Sequence, residues 1–489
     1  MRRDGRQGVG AFYSTDEAGE PTRWDPVEGR GRRIAERLRG TMPDIPRSEI
    51  ISTRQQTIAT RAQQAPQMSF TSLHHYIDLI WLLEAYRRTR KDGAPGVDGQ
   101  TADAYAENLE GNLQDLLDRA KSGRYRAPAV KRAYIPKGDG STTRPIGVPT
   151  FEDKILQRAV AMVLEPIYEQ DFLNCSYGFR PGRSAHQALE AWRDQLMGFG
   201  GGWVIELDVQ SFFDTLDKAQ LRTFVQRRVR DGVLLRLIGK WLNAGVLEGR
   251  TVRYPEAGTP QGGVASPLLA NIFLHNVLDV WFEQDIKPRL KGRAVLIRYA
   301  DDAVLGFNLE EDARRVLTVL PKRFRKYGLR LHPEKTRLID FRKPRDIEPS
   351  DTSAPRRRWT FDLLGFTHYW ARSRRGYWVI KRKTATDRLS RAITRIGCWC
   401  RENRHAPVDD QHKVLSQKLR GHYEYYGITG NSEMLTGFLN AAERRWHYWL
   451  NRRSQQRPWT WNRFARMLRA RPLPPALAVH STWHHAANP

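Results

Sequence analysis

Two adjacent aspartates interrupt an otherwise apolar run at AVLIRYADDAVLGF, residues 294–307. An apolar segment, a paired carboxylate and a second apolar segment read as a β-hairpin with Asp301 and Asp302 at its turn. Turns use aspartate freely, but with Gly, Asn or Pro beside it, and none follows here before Gly306. The flanks have the near-continuous hydrophobicity of buried strands. Two ionised carboxylates set between such strands repel each other and are costly to desolvate. A divalent cation offsets that cost, and carboxylate oxygens suit Mg²⁺.

A third carboxylate comes from GGWVIELDVQSFFDTLD, residues 201–217. WVIEL has the pattern of a buried strand that ends at Asp208. The chain then turns through Ser211, Phe212 and Phe213 towards a helix near Lys218. Asp208 therefore falls at a strand terminus, where it can meet the hairpin aspartates across neighbouring strands. Alone it would read as a helix N-cap or a turn residue. Together the three carboxylates form the set that in-line nucleotidyl transfer needs, around two Mg²⁺ ions ~3.5–4 Å apart. One ion lowers the pKa of a primer 3′-hydroxyl and the other stabilises the pyrophosphate that leaves.

Charge points to the same class of partner. Of 489 residues, 81 are Lys or Arg and 54 Asp or Glu, a formal net charge of +27. So large an excess raises the energy of the compact state, and a polyanion relieves it by releasing condensed counterions. The three cysteines, Cys175, Cys398 and Cys400, cannot form a disulfide framework and fit a reducing compartment. Cys398-Trp399-Cys400 lacks a second Cys/His pair at zinc spacing and reads as structural. No apolar run approaches the roughly 18 residues of a membrane helix, and MRRDGRQGVG has no apolar stretch behind it that would make a secretory signal. The expected location is the cytoplasm, with no membrane partner.

Along the chain, residues 1–66 are polar and rich in Gly, Arg and Pro, and read as a flexible basic arm with a short helix near Arg32–Leu38. SLHHYIDLIWLLEAYRR carries apolar residues at helical spacing and reads as the first packed helix. Helical and strand-like segments then alternate without a repeat to about residue 345, as in a mixed α/β or α+β body and not a solenoid. The Pro- and Arg-rich loop FRKPRDIEPSDTSAPRRR separates this body from FDLLGF and the strand-rich THYWARSRRGYWVI. Residues 381–489 differ again, with 20 Lys/Arg against 7 Asp/Glu and 6 of the 15 tryptophans. LSRAITRIGCWC, HKVLSQKLRGHYEYYG and LTGFLNAAERRWHYWLNRR read as helices, and the prolines of RPLPPALAV exclude one.

YADD at Tyr299–Asp302, LDVQSFFD upstream and TPQGGVASPLLANIFL (259–274) between them resemble the palm motifs of the reverse transcriptases encoded within group II introns. RTRKDGAPGVDG (88–99) resembles the N-terminal extension of those enzymes, and AYIPKGDGSTTRPIGVPTFEDKILQRAV (133–160) their fingers. YGFRPGRSAHQAL (177–189) resembles the segment that follows the fingers. GLRLHPEKTRLI (328–339) and FDLLGF (361–366) resemble the last palm motifs and the primer grip. Three such motifs in order are far more specific than YxDD alone.

The resemblance implies a right hand: fingers and palm over 67–375, including an extension at 67–130, with an antiparallel palm sheet. An all-helical thumb or maturase domain follows over 381–450, then a short basic DNA-binding-like tail over 451–489 with no endonuclease. It implies RNA-directed DNA synthesis from dNTPs on a DNA primer, with Asp208, Val209, Asp301 and Asp302 holding two Mg²⁺, for which Mn²⁺ can substitute. It assigns Lys137, Arg144, Phe213 and Gln261 to the nucleotide. Arg144 forks onto phosphate and Lys137 acts as a point charge. Phe213 lies beneath the sugar, where it would collide with a ribose 2′-hydroxyl, and Lys335 donates a proton to the leaving pyrophosphate. Gln261-Gly262-Gly263 lets backbone approach the nucleobase or template closely.

The helical region implies intron RNA as a partner, with splicing and retrohoming as the biology. Two other readings stand beside this one: a splicing-only RNA-binding maturase, and a host-recruited reverse transcriptase serving defence or repair.

Overall fold

The computed structural model describes residues 47–136, 143–254, 258, 262–344, 360–453 and 459–480. Its first element, helix α1 (Arg47–Gln64), falls inside the stretch expected to be a flexible arm. Ile51, Ile58 and Ala62 are buried on one face of it, and Gln55 Nε2 donates to the Met162 carbonyl (3.0 Å). Three apolar anchors suffice because that face is narrow. An arm ending at residue 66 is thus too long by at least this helix, and the helix expected near Arg32–Leu38 lies outside the described residues.

Helix α2 (Leu79–Arg88) starts where the Asp78 carboxylate accepts from Trp81 N–H, after a short 3₁₀ turn at His74–Tyr76. The packed helix expected from SLHHYIDLIWLLEAYRR is therefore confined to its second half. Helices α3 (Ala102–Ala106) and α4 (Leu109–Ser122) lead to strands β1 (Val130–Pro136) and β2 (Thr143–Val148). Helix α5 (Phe151–Asp171) is capped by Thr150, and α6 (Ala185–Gly198) by a reciprocal Ser184–Gln187 capping box.

Strand β3 (Gly201–Leu207) is followed by α7 (Phe212–Thr215), α8 (Lys218–Gln226), α9 (Gly232–Leu242), β4 (Val246–Glu248) and β5 (Thr251–Arg253). Helix α10 (Ser266–Leu274) continues into π-helical turns at His275–Asp279 and Trp281–Ile286. Strands β6 (Ala294–Tyr299) and β7 (Asp302–Phe307), helix α11 (Glu310–Lys326) and strand β8 (Arg337–Arg342) complete this part.

Two four-stranded sheets result. The first, in the order β2-β1-β4-β5, is antiparallel except where β1 runs parallel to β4. The second, in the order β6-β7-β3-β8, is antiparallel throughout. Both faces of this second sheet are covered. Ile205, Leu207, Leu296, Leu305 and Phe307 join the main core, while Val204, Val295, Ile297 and Val304 pack with Trp192 and Leu196 of α6. Double coverage explains the near-continuous apolar runs in the sequence. Burying each of these large side chains contributes about 1.5–3 kcal/mol, which anchors the strand ends that carry the carboxylates.

A three-stranded antiparallel sheet follows, formed by β9 (Thr360–Leu363), β10 (Phe366–Arg372) and β11 (Trp378–Thr384). Helices α12 (Thr386–Glu402), α13 (Val408–Tyr426), α14 (Ser432–Leu450) and α15 (Trp461–Ala470) end the described chain. They share a core of Ile396, Leu415, Leu419, Phe438, Trp446 and Phe464. Part of the expected tail thus packs into the helical region: Phe464 is buried there, and His480 bridges to Ile428. Cys400 is buried in this core and Cys398 is exposed; all three cysteines are free thiols. The α+β body, antiparallel palm sheet and helical C-terminal region agree with the expected fold. Among the described residues no helix is long and apolar enough to cross a membrane.

Candidate active site

The hairpin β6–β7 turns in two residues, Ala300 and Asp301, because Tyr299 pairs directly with Asp302. Ala300 takes φ +56°, a left-handed conformation that tight hairpins require and that glycine usually supplies. Asp301 lies in the turn itself and Asp302 begins β7, so consecutive carboxylates stand at one end of the sheet. Strand β3 runs antiparallel to β7 with Leu207 opposite Ala303. The next residue on β3 is Asp208, which the register places beside Asp302.

Asp208 is held by its backbone. Its carbonyl accepts from His332 N–H (2.9 Å) and from the Thr336 hydroxyl (3.3 Å), and its own N–H donates to Thr336 Oγ1 (3.4 Å). The loop before β8 thereby fixes the end of β3. From the same loop Lys335 reaches back, its ammonium 3.4 Å from Asp208 Oδ2.

Electrostatics ties the three carboxylates together. Asp301 and Asp302 keep solvent-accessible surface, yet the protein crowded around them makes ionisation costly. That crowding, reinforced by the charges of Asp301 and Asp208, pushes the Asp302 carboxyl up to about 7. Asp301 is raised for the same first reason and by Asp208, while Arg144 and Arg298 pull it the other way. Arg144 on β2 stands opposite Ile135, and its charge acts on both hairpin aspartates. The charge of Arg388 on α12 also acts on Asp302, bringing the helical region to the site.

Among the described residues no group of three or more His, Cys, Asp or Glu side chains closes to the spacing of a preformed metal cage. The donor set is nevertheless all-oxygen, and its two hairpin carboxylates are crowded and costly to ionise. That chemistry fits a hard divalent cation.

Residues 135–368 match the family model described as "Reverse transcriptase (RNA-dependent DNA polymerase)". The segment holds the end of β1, all of β2, the whole palm sheet and all three aspartates. This part of the chain is similar to reverse transcriptase domains.

Among similar proteins is Protein YkfC of Escherichia coli, 42% identical over 253 residues, covering 50% of this chain and 65% of that protein. Group II intron-encoded protein LtrA of Lactococcus lactis is 36% identical over 225 residues, covering 45% and 37%. Nuclear intron maturase 2, mitochondrial, of Arabidopsis thaliana is 28% identical over 241 residues, covering 41% and 30%. The matched region thus spans less than two thirds of each relative's own length.

Within the matched region the remaining expected residues sort by place. Ser211, at φ +48°, turns the chain out of the sheet. Phe212 is then buried at 3% exposure and Phe213 half-buried, their rings 5.2 Å apart and edge to face. Phe212 belongs to the main core and Phe213 packs against it from a half-exposed position. Val209 is buried and bridges to Leu331. Lys137 and Gln261 lie outside the described residues.

Gly262 has φ +118°, and a Cβ there would come within 2.5 Å of the Gly147 carbonyl on β2. The close approach expected of this glycine is thus made to the fingers strand. Sequence reasoning missed Arg388, which sits far along the chain and becomes relevant only through folding. It also passed over Arg298, an arginine inside an apolar run, which was the one available signal.

Proposed function

We propose that the protein is an RNA-directed DNA polymerase whose catalytic centre is Asp208, Asp301 and Asp302. The observation that carries this reading is that β3 and the β6–β7 hairpin of a reverse transcriptase domain bring the three carboxylates into mutual electrostatic contact. Two divalent cations on this set, Mg²⁺ or Mn²⁺, would activate the primer 3′-hydroxyl and neutralise the leaving pyrophosphate. Asp208, Asp301 and Asp302 supply the oxygens, with Val209 contributing its backbone.

On this reading Arg144, whose charge acts on both hairpin aspartates, forks onto the triphosphate, and Lys137 supplies a second cation. Phe213 packs under the sugar and excludes a 2′-hydroxyl, so dNTPs are the substrate. Gln261 approaches the nucleotide. Lys335 hands a proton to pyrophosphate; its ion pair with Asp208 keeps the ammonium at the site.

Helices α12 to α15 carry Arg and Lys around an aromatic core, which suits a phosphate backbone. Intron RNA is the proposed partner, with splicing assistance and retrohoming as its consequence, in a reducing cytoplasm that fits three free thiols. Similarity to proteins named intron-encoded protein and intron maturase supports this over a host-recruited defence or repair enzyme.

Primer extension on an RNA template with dNTPs and Mg²⁺ tests the reading. Synthesis of DNA by the wild type supports it. A protein that binds the RNA and extends nothing is a splicing-only maturase instead.

A further inference from the structure

Beneath the turn that carries Asp301 a charge is buried completely. Arg298 on β6 and Asp279 in the π-helical segment are both 0% exposed. They join through two bonds, Nε to Oδ1 at 2.7 Å and Nη2 to Oδ2 at 2.6 Å. Replacing a buried ion pair of this kind by apolar residues is often neutral or stabilising, so stability alone is a weak reason for it.

The other bonds of the guanidinium show where the pair is directed. Nη1 donates to Asn271 Oδ1 (2.8 Å) and to the Ala300 carbonyl (2.9 Å), and Nη2 also donates to Ser176 Oγ (2.8 Å). All five N–H groups of the fork are thus used. Ala300 is the residue immediately before Asp301, and at φ +56° it is held in a left-handed conformation that is strained for a non-glycine residue. Such strain persists only where the surroundings over-determine it.

They do so from two sides. Gly178 packs its backbone so closely on the turn that a Cβ would lie 2.2 Å from Ala300 N, and Asn271 Nδ2 donates to the Gly178 carbonyl (2.7 Å). Asn271 therefore grips both Arg298 and the segment pressed against the turn. The π-helical turn at His275–Asp279 shifts the helical register, a rare feature that recurs at functional sites, and ends at the residue that pairs with Arg298.

The geometry points to Arg298 as a positioning residue for the carboxylate turn. Its guanidinium, oriented by Asp279, Asn271 and Ser176, holds the Ala300 carbonyl and so sets where Asp301 and Asp302 present their oxygens to a divalent cation. This rests on the polymerase reading of the carboxylates, but its first test does not require activity.

Two proteins are compared with the wild type: Arg298→Lys, which keeps the charge but not the fork, and the apolar pair Arg298→Met with Asp279→Leu. Mn²⁺ binding is measured on the full chain by electron paramagnetic resonance, with Asp301→Asn marking binding at the carboxylates. Thermal unfolding is followed in parallel. The expected result is cooperative unfolding in both variants with Mn²⁺ affinity weakened about tenfold or more. In primer extension kcat falls by a similar factor while the KM for dNTP stays within about twofold. Folded variants that bind Mn²⁺ as the wild type does would overturn the assignment, and so would loss of cooperative unfolding in both, which would make the role wholly structural. A wild type that binds Mn²⁺ at Asp301 and extends no primer sinks the polymerase reading instead, and the Mn²⁺ comparison still decides the role of Arg298.

Discussion

At the scale of single residues, the hairpin trades stability for chemistry. Desolvation by the surrounding protein and the neighbouring carboxylates raise Asp302 to about 7, far above its value of 3.8 in an unfolded chain. Between about pH 4 and 7 the folded state therefore holds a proton that the unfolded state has already released. Its stability contribution falls as pH rises from about 4 through 7 when no cation is bound. A divalent cation reverses this by favouring the ionised pair. Thermal unfolding with and without Mg²⁺ should show a larger upward shift at pH 8 than at pH 5.5; an equal shift at both would contradict the coupling.

By the same logic Asp302→Asn raises the melting temperature without Mg²⁺ and abolishes nucleotide incorporation. Gly178→Ala has the opposite character. A Cβ 2.2 Å from Ala300 N must push the turn, and displacements near 1 Å can cost about 10²-fold in rate. Incorporation by a folded Gly178→Ala protein should drop by at least tenfold; wild-type kinetics would show that the turn tolerates the shift.

Elements differ in how much of themselves they wrote into the sequence. Strands β3, β6 and β7 were legible because a carboxylate inside an apolar run is an exception that demands a reason, and three exceptions coincide. Helices α12 to α14 were legible from their spacing. Helix α1 was not: Ile51, Ile58 and Ala62 are three anchors scattered among polar residues, and only the partner helix α5 makes them a face. The π-helical continuation of α10 leaves no mark in apolar spacing, so nothing in the sequence singles out Asp279. Arg388 could not be found at all, since the position of α12 relative to β7 is set by packing across elements distant in sequence. Phe212 and Phe213 were legible as a pair, but which one faces inward follows from the strained Ser211 backbone. If α1 is part of the core, Ile58→Ala costs about 2–5 kcal/mol in chemical denaturation. A cost below about 0.5 kcal/mol would return this segment to a loosely attached arm.

Considered whole, the molecule sets a small acidic site within a strongly basic chain of net charge +27. The two serve different steps. On the proposed reading the distributed Arg and Lys attract and hold nucleic acid, while the three aspartates act on one bond. RNA affinity should therefore fall steeply with salt, by roughly 10³-fold between about 50 and 200 mM if six or more phosphates are contacted. Filter binding or fluorescence anisotropy checks this, and an affinity indifferent to salt would remove the electrostatic account of partner binding.

The separation of binding from chemistry also gives the most direct test of the central claim. Single-nucleotide incorporation on an RNA template, with dNTP and Mg²⁺, is compared for the wild type, Asp208→Asn and Asp301→Asn, with RNA affinity measured on the same preparations. The account predicts incorporation by the wild type, loss in each variant by about 10³-fold or more, and RNA affinity unchanged within about twofold. Variants that incorporate nucleotide at the wild-type rate would contradict it, because the three carboxylates would then have no part in the chemistry.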